Sequence, residues 1–309
     1  DSINYRSGVL LVLAAGICWS SMGLGIRHIE VANVWQILFF RSLALTPLLL
    51  LVLTLRARGN PFPIIQRAGL AGGVGGISLV FAFSGGILAV QTTSVANAMF
   101  LFAAAPFFAA VLGWLVLKEH VRNATWISMM VALVGIVIMV WEGISIGRII
   151  GNVAALISAL GFAIFTISLR WKKLEDMLPT VFLAGLFAII IAGALCQIKG
   201  YGLDVPKRDI WIALALGVFQ VGAGLILYTL GSKVVPSAEL ALLSMTEVVF
   251  GPFWVWLFLG ETAGVYTLLG GMILLIAIAS NALSGLRRKP IPWIKGNLEP
   301  ILENNEFRL

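Results

Sequence analysis

Charge is the scarcest thing in this chain. Of 309 residues only 11% are Asp, Glu, Lys or Arg, against 60% hydrophobic, which is too apolar for a soluble globular protein of this length. A water-soluble fold is therefore excluded, and the chain reads as an integral membrane protein. Cysteine is nearly absent too: Cys18 and Cys196 both fall inside apolar segments, so neither a disulfide framework nor a thiolate metal site is expected. Histidine is limited to His28 and His120, near opposite membrane faces, and no His/Cys/carboxylate set has metal-ligand spacing. The reading is of no enzyme, no metal and no cofactor. A phosphate-cradling GxxxxGKS/T segment is missing, which excludes ATP as a fuel used within this chain. The net charge of +7 is spread through short gaps between apolar runs, so nucleic acid is not an expected partner.

What fills the chain instead is a succession of long apolar runs. A helix needs about 20 mostly apolar residues to cross a bilayer. Ten such runs can be counted: 8–26, 32–55, 68–88, 95–116, 123–141, 149–169, 177–198, 210–231, 237–259 and 263–284. Because residue 1 is Asp rather than Met, a few residues are expected ahead of it. The first run is not read as a signal peptide, because its counterpart at 151–170 lies deep in the chain. With the N-terminus in the cytoplasm, fifteen Lys and Arg fall on the inner side and five on the outer, with Arg41 inside a span. That bias puts both termini in the cytoplasm. The tail, 285–309, is expected to extend there too, with Trp293 and the cluster Arg287, Arg288 and Lys289 at the lipid headgroups.

The runs come in two matched sets. Trp114, Leu115, Leu117 and Glu119 return 142 positions on as Trp256, Leu257, Leu259 and Glu261. At nearly the same offset Gly8, Leu13 and Arg27 meet Gly151, Leu156 and Arg170, and Leu101, Phe108 and Met130 meet Leu243, Phe250 and Met272. Each half, 8–141 and 149–284, holds five spans, an odd number, so the second enters the membrane upside down. The expected fold is an all-α membrane protein with ten transmembrane helices in two inverted five-helix repeats, an architecture that holds its substrate near the midplane. Glycines 69, 72, 73, 75 and 76 in the third span, and 217, 222 and 224 in the eighth, read as close helix crossings that set the wall of a cavity.

One span carries an acid. Glu247 lies about 15 Å inside its helix at 1.5 Å per residue, where an ionised group costs roughly 2.5–3.5 kcal/mol on insertion scales. Such an acid faces a cavity or a partner. It is either a site of proton uptake and release in a gradient-driven carrier or a permanently paired structural acid. Arg41, about 12 Å in from the other face, is the expected partner in a buried ion pair, unless it ties helix ends or a loop.

These residues resemble those of a known family, the EamA-type exporters of the drug/metabolite transporter superfamily. Phe40-Arg41 in the second span, the run TSVANA from Thr93 to Ala98, Pro106, Glu119 and a glycine-bearing fifth span follow the first EamA repeat. Thr246-Glu247 and Leu259-Gly260-Glu261 resemble the second, and the likeness covers about 8–284. The family often has proline directly after the mid-helix acid; here Val248 stands there and the proline is Pro252. The resemblance implies ten helices, a central cavity lined by spans 1, 3, 4, 6, 8 and 9, and export or exchange of small metabolites, amino acids or drugs.

Several side chains are candidates to line that cavity: Trp19, Ser20, Phe81, Asn97, Phe100, Phe162, Gln220, Tyr228, Ser244 and Glu247. Asn97 and Glu239 occupy equivalent places at opposite faces, as gate residues or interfacial polar groups. Pro106 and Pro252 each remove a helical hydrogen bond, which makes a hinge or a packing kink. Glu119 and Glu261 fall at opposite faces, at helix ends. The reading is of an alternating-access carrier in the bacterial inner membrane. Its partners are a small metabolite, most simply an amino acid, membrane lipid and, where transport is coupled, protons. A lipophilic-cation exporter and a membrane sensor or scaffold are the alternatives.

Overall fold

Apolar runs in lipid satisfy their backbone polar groups internally only as helices or closed barrels. In the computed structural model, which describes residues 4–145, 147–235 and 237–286, they are helices, and ten are long and apolar enough to span a membrane. The chain is a multi-pass membrane protein. The first repeat comprises α1 (Tyr5–Arg27), α2 (Val34–Ala57), α3 (Phe62–Thr92), α4 (Val95–Phe102), α5 (Ala105–Leu117) and α6 (Asn123–Ser145). The second comprises α7 (Ile149–Trp171), α8 (Leu178–Ile198), α9 (Lys207–Ala215), a π-helical stretch (Leu216–Ala223), α10 (Gly224–Gly231), α11 (Ser237–Leu259) and α12 (Val265–Leu286). Residues 287–309 of the expected tail lie outside the described residues.

Local chemistry sets the helix ends. Asn4 accepts the Ser7 N–H at 2.8 Å, and Asn33 and Gln36 form a reciprocal capping box at the start of α2. Three of the expected runs differ in detail. The third is longer, because Phe62–Ala68 leads into it through Gly69, whose φ of 51° and ψ of −142° turn the chain without a Cβ penalty. The fourth is two helices, α4 and α5, broken ahead of Pro106. The eighth is α9 and α10 joined by the π-helical stretch.

The repeats interlock with their roles exchanged. Helix α1 packs on α11 and α7 packs on α4 and α5; α3 packs on α7 as α10 packs on α1; α3 meets α8 as α9 and the π stretch meet α2. The equivalent pairs α2 with α8 and α6 with α12 pack on each other. This is the pattern of two inverted five-span units.

Glycines permit the closest crossings, as the small-residue pattern suggests. A Cβ on Gly76 would stand 2.9 Å from the Phe187 ring on α8, and one on Gly217 only 2.1 Å from the Arg41 carbonyl oxygen. That second contact brings the π stretch against α2 at the arginine.

Candidate functional site: a central cavity open to one face

Between the repeats lies a cavity of about 810 Å³. Near the midplane its wall includes Trp19, Arg41, Gln220, Tyr228 and Glu247; towards the face where α1 begins it reaches Glu119, His120, Arg122, Arg170 and Asn281. The cavity is therefore open at the N-terminal face. Its wall includes neither Arg27 nor Glu261 at the opposite face, where the two repeats are joined and the cavity is shut off. The Arg27 guanidinium donates from Nε to Glu261 Oε2 at 2.7 Å and from Nη2 to Glu261 Oε1 at 3.1 Å and the Thr93 carbonyl at 2.7 Å, and from Nη1 to the Val90 carbonyl. Glu261 also accepts the Val95 N–H at 2.8 Å. Burial opposes ionisation of Glu261, but the Arg27 and Val95 hydrogen bonds and the charges of Arg27 and Arg148 outweigh it and hold the carboxyl below the usual range. Asp209 ties the same face by accepting the N–H groups of Val31 and Ala32, each at 2.9 Å.

The two charged groups at the midplane of the cavity wall, Arg41 and Glu247, are not paired with each other. Arg41 is only 2% exposed, its guanidinium lies 4.8 Å above the Phe83 ring, and its Nη2 has no hydrogen-bond partner. Glu247 has no ion pair among the described residues. The expected Arg41–Glu247 ion pair is thus not formed, because Arg41 rests on Phe83 instead and both groups open onto the cavity. Gln220, on the π stretch, has its Oε1 buried and also unpartnered. Three polar residues thus stand on one wall, and the unpartnered Arg41 Nη2 and Gln220 Oε1 are buried within it, where an unfilled polar group is costly.

Aromatic side chains make the remainder of the wall. Trp19 lies against Tyr228 with ring centroids 5.3 Å apart, in space left by Gly224, where a Cβ would stand 2.3 Å from Trp19 Nε1. Phe162 meets Phe83 edge to face at 6.2 Å. Ser244 reaches the wall but donates to its own helix, to the Leu240 carbonyl at 2.8 Å.

Four candidates from the sequence lie elsewhere. Ser20 is buried between α1 and α11, donating to the Ile17 carbonyl and accepting from Trp254 Nε1 at 2.9 Å. Phe81 is 59% exposed on the outer surface of α3. Phe100 fills the space beside Gly271. Asn97 is buried with Thr93 and Asn152, beside a separate small polar pocket near the closed face. Its counterpart Glu239 accepts from Tyr5. Pro106 lies on the cavity wall at the break between α4 and α5, whereas Pro252 sits inside an unbroken α11. Sequence reasoning missed Met22, Phe83, Met99, Phe102 and Phe165 on the wall. It noted the Arg27/Arg170 and Glu119/Glu261 matches without pairing them.

A model of the EamA-like transporter family matches residues 6–141 and again 149–283. The pseudopaline exporter CntI of Pseudomonas aeruginosa is 25% identical over 283 residues, which cover 88% of this chain and 94% of that protein. An uncharacterized transporter of Helicobacter pylori is 24% identical, covering 82% of this chain and 87% of its own. A solved crystal structure with 19% identity covers 93% of this chain and 100% of its own at a TM-score of 0.61, a likeness of fold. With ten spans in two inverted repeats and a matching model on each repeat, the chain belongs to the EamA-like transporter family.

Proposed function

We propose that this protein exports or exchanges small zwitterionic metabolites, amino acids and related compounds, by alternating access in the bacterial inner membrane. The observation that carries the reading is a cation and an anion, Arg41 and Glu247, unpaired on the wall of one cavity. A ligand carrying both a carboxylate and an ammonium supplies each with its counter-charge. The carboxylate meets the Arg41 guanidinium, the ammonium meets Glu247 beside Gln220, and the body lies against Trp19, Tyr228 and Phe162. A volume of about 810 Å³ accommodates an amino acid with water or a larger conjugate. Among the relatives, CntI is named an exporter of pseudopaline. With the positive-inside orientation, both termini are cytoplasmic and the cavity opens to the cytoplasm, from which an exporter loads.

Glu247 also supplies a proton site. A carboxylate without a fixed cationic partner can exchange its proton for the cargo's ammonium, which couples outward movement to proton entry. Glu247 and the aromatic wall would also suit a lipophilic cation, but Arg41 in the same cavity repels that cargo and has no role in holding it. The test is counterflow in proteoliposomes with a panel of labelled amino acids and cationic dyes, with and without a pH gradient. Amino acids are expected to exchange and the dyes not; exchange of dyes alone overturns the reading.

A further inference from the structure

The arginine and glutamate at the closed face have counterparts at the open one. Arg27 corresponds to Arg170 and Glu261 to Glu119 at nearly the same repeat offset, and the structure pairs Arg27 with Glu261 and Arg170 with Glu119. Each pair therefore joins one repeat to the other, with the arginine at the end of the first span of its repeat and the acid just after the fourth. The inverted symmetry puts the two pairs at opposite membrane faces.

Their surroundings differ as the two ends of the cavity differ. At the closed face the Arg27 and Glu261 side chains are 24% and 23% exposed, and Arg27 also binds two carbonyls at the end of the third span. At the open face the Arg170 and Glu119 side chains are 45% and 35% exposed, line the mouth, and the Arg170 guanidinium has Glu119 as its only hydrogen-bond partner among the described residues. Two pairs built only to hold the bundle together would share one environment. Here one is embedded in backbone and the other stands bare.

We propose that Arg27–Glu261 and Arg170–Glu119 are alternating gates, each embedded in backbone when its face is closed and stripped back to the bare pair when its face is open. The symmetry specifies the other state. Arg170 then takes carbonyls in the stretch after the eighth span, between Gly231 and Val235, as Arg27 now takes those of Val90 and Thr93. Arg27 in turn keeps only Glu261 or lets it go. The proposal rests on alternating access and not on the nature of the cargo.

The test reads accessibility rather than transport. In oriented proteoliposomes, a Leu225→Cys reporter on the cavity wall, with Cys18 and Cys196 replaced by Ala, is labelled by a membrane-impermeant maleimide added from either face. Glu261→Gln is expected to raise labelling from the opposite face by about tenfold, because the pair holds more strongly when embedded in backbone than when bare and exposed, and to lower it from the N-terminal face. Glu119→Gln is expected to do the reverse. Arg27→Lys, which keeps the charge but cannot reach Glu261 and both carbonyls at once, is expected to shift labelling in the same direction as Glu261→Gln. Glu261→Gln and Glu119→Gln variants that stay folded yet shift labelling in the same direction as each other, or not at all, overturn the proposal. Amino-acid exchange failing while these shifts appear removes the cargo assignment and leaves the gates standing.

Discussion

The Arg41 guanidinium lies 4.8 Å above the Phe83 ring with Nη2 unpartnered. An arginine on an aromatic face keeps some electrostatic compensation for its lost water, but it retains donors that only a ligand or water fills. The structure holds this cation ready rather than neutralised.

It follows that Arg41→Gln should separate stability from transport. Because no protein acceptor is lost with Nη2, thermal unfolding of the purified protein is expected to stay level or move upward. Amino-acid counterflow is expected to fall by about tenfold or more, as befits loss of a charge-assisted hydrogen bond. Arg41→Lys should recover little, since an ammonium cannot reproduce the planar fork. A large drop in unfolding temperature with Arg41→Gln would make the residue structural.

Two glycines should answer to substitution in opposite ways. Gly217→Ala drives a Cβ to within 2.1 Å of the Arg41 carbonyl oxygen, a backbone atom that cannot swing aside. The expected cost is about 1–3 kcal/mol, with impaired transport because α2 is displaced at Arg41. Gly73→Ala meets nothing within 4 Å and should be neutral or stabilising by about 0.5–1 kcal/mol. Unfolding temperatures of the two variants in one detergent decide the matter.

Acid should weaken the closed face. Glu261 has its folded-state carboxyl held below the ordinary range, so its contribution is complete above the unfolded value of about 4.3. It is lost as pH falls through the lowered folded value. The stability difference between the unaltered protein and Glu261→Gln is therefore expected to be present at neutral pH and to vanish in strong acid. A difference that grows on acidification would contradict the assignment.

The two prolines should part company. Pro106 stands in the first turn of α5, just after the chain breaks from α4, on the cavity wall. Pro106→Ala is expected to lower the exchange rate with little change in KM, because it lets the two helices join. Pro252 lies in continuous α11, so Pro252→Ala is expected to leave the rate near its starting value. Initial exchange rates across a substrate series measure both.

How far the residues announced this arrangement depends on the kind of signal. Span number and inversion follow from apolar length and the return of Trp, Arg and Glu at a fixed offset. Glu247, Arg41 and Gln220 were visible as polar groups in apolar surroundings. Which apolar side chains face the cavity was not visible: Phe81 and Phe83 are two residues apart, hence on opposite sides of α3, and only Phe83 lines it. In lipid both sides of a helix are apolar, so no amphipathic stripe distinguishes them. Ser20 misled because it adjoins Trp19 in sequence yet points between α1 and α11. The π-helical stretch that carries Gln220 left no recognisable pattern. The Arg27/Arg170 and Glu119/Glu261 matches lay in plain view, and only the crosswise packing of the repeats joined them.

The central claim is that one cavity reads two opposite charges on one ligand. Competition against counterflow of a labelled amino acid tests it most directly, using the unlabelled amino acid, its methyl ester and its N-acetyl derivative. The account predicts competition by the zwitterion and a loss of about tenfold or more with either single-charge analogue. Competition by the ester as strong as by the parent amino acid would leave Arg41 without a role and contradict it.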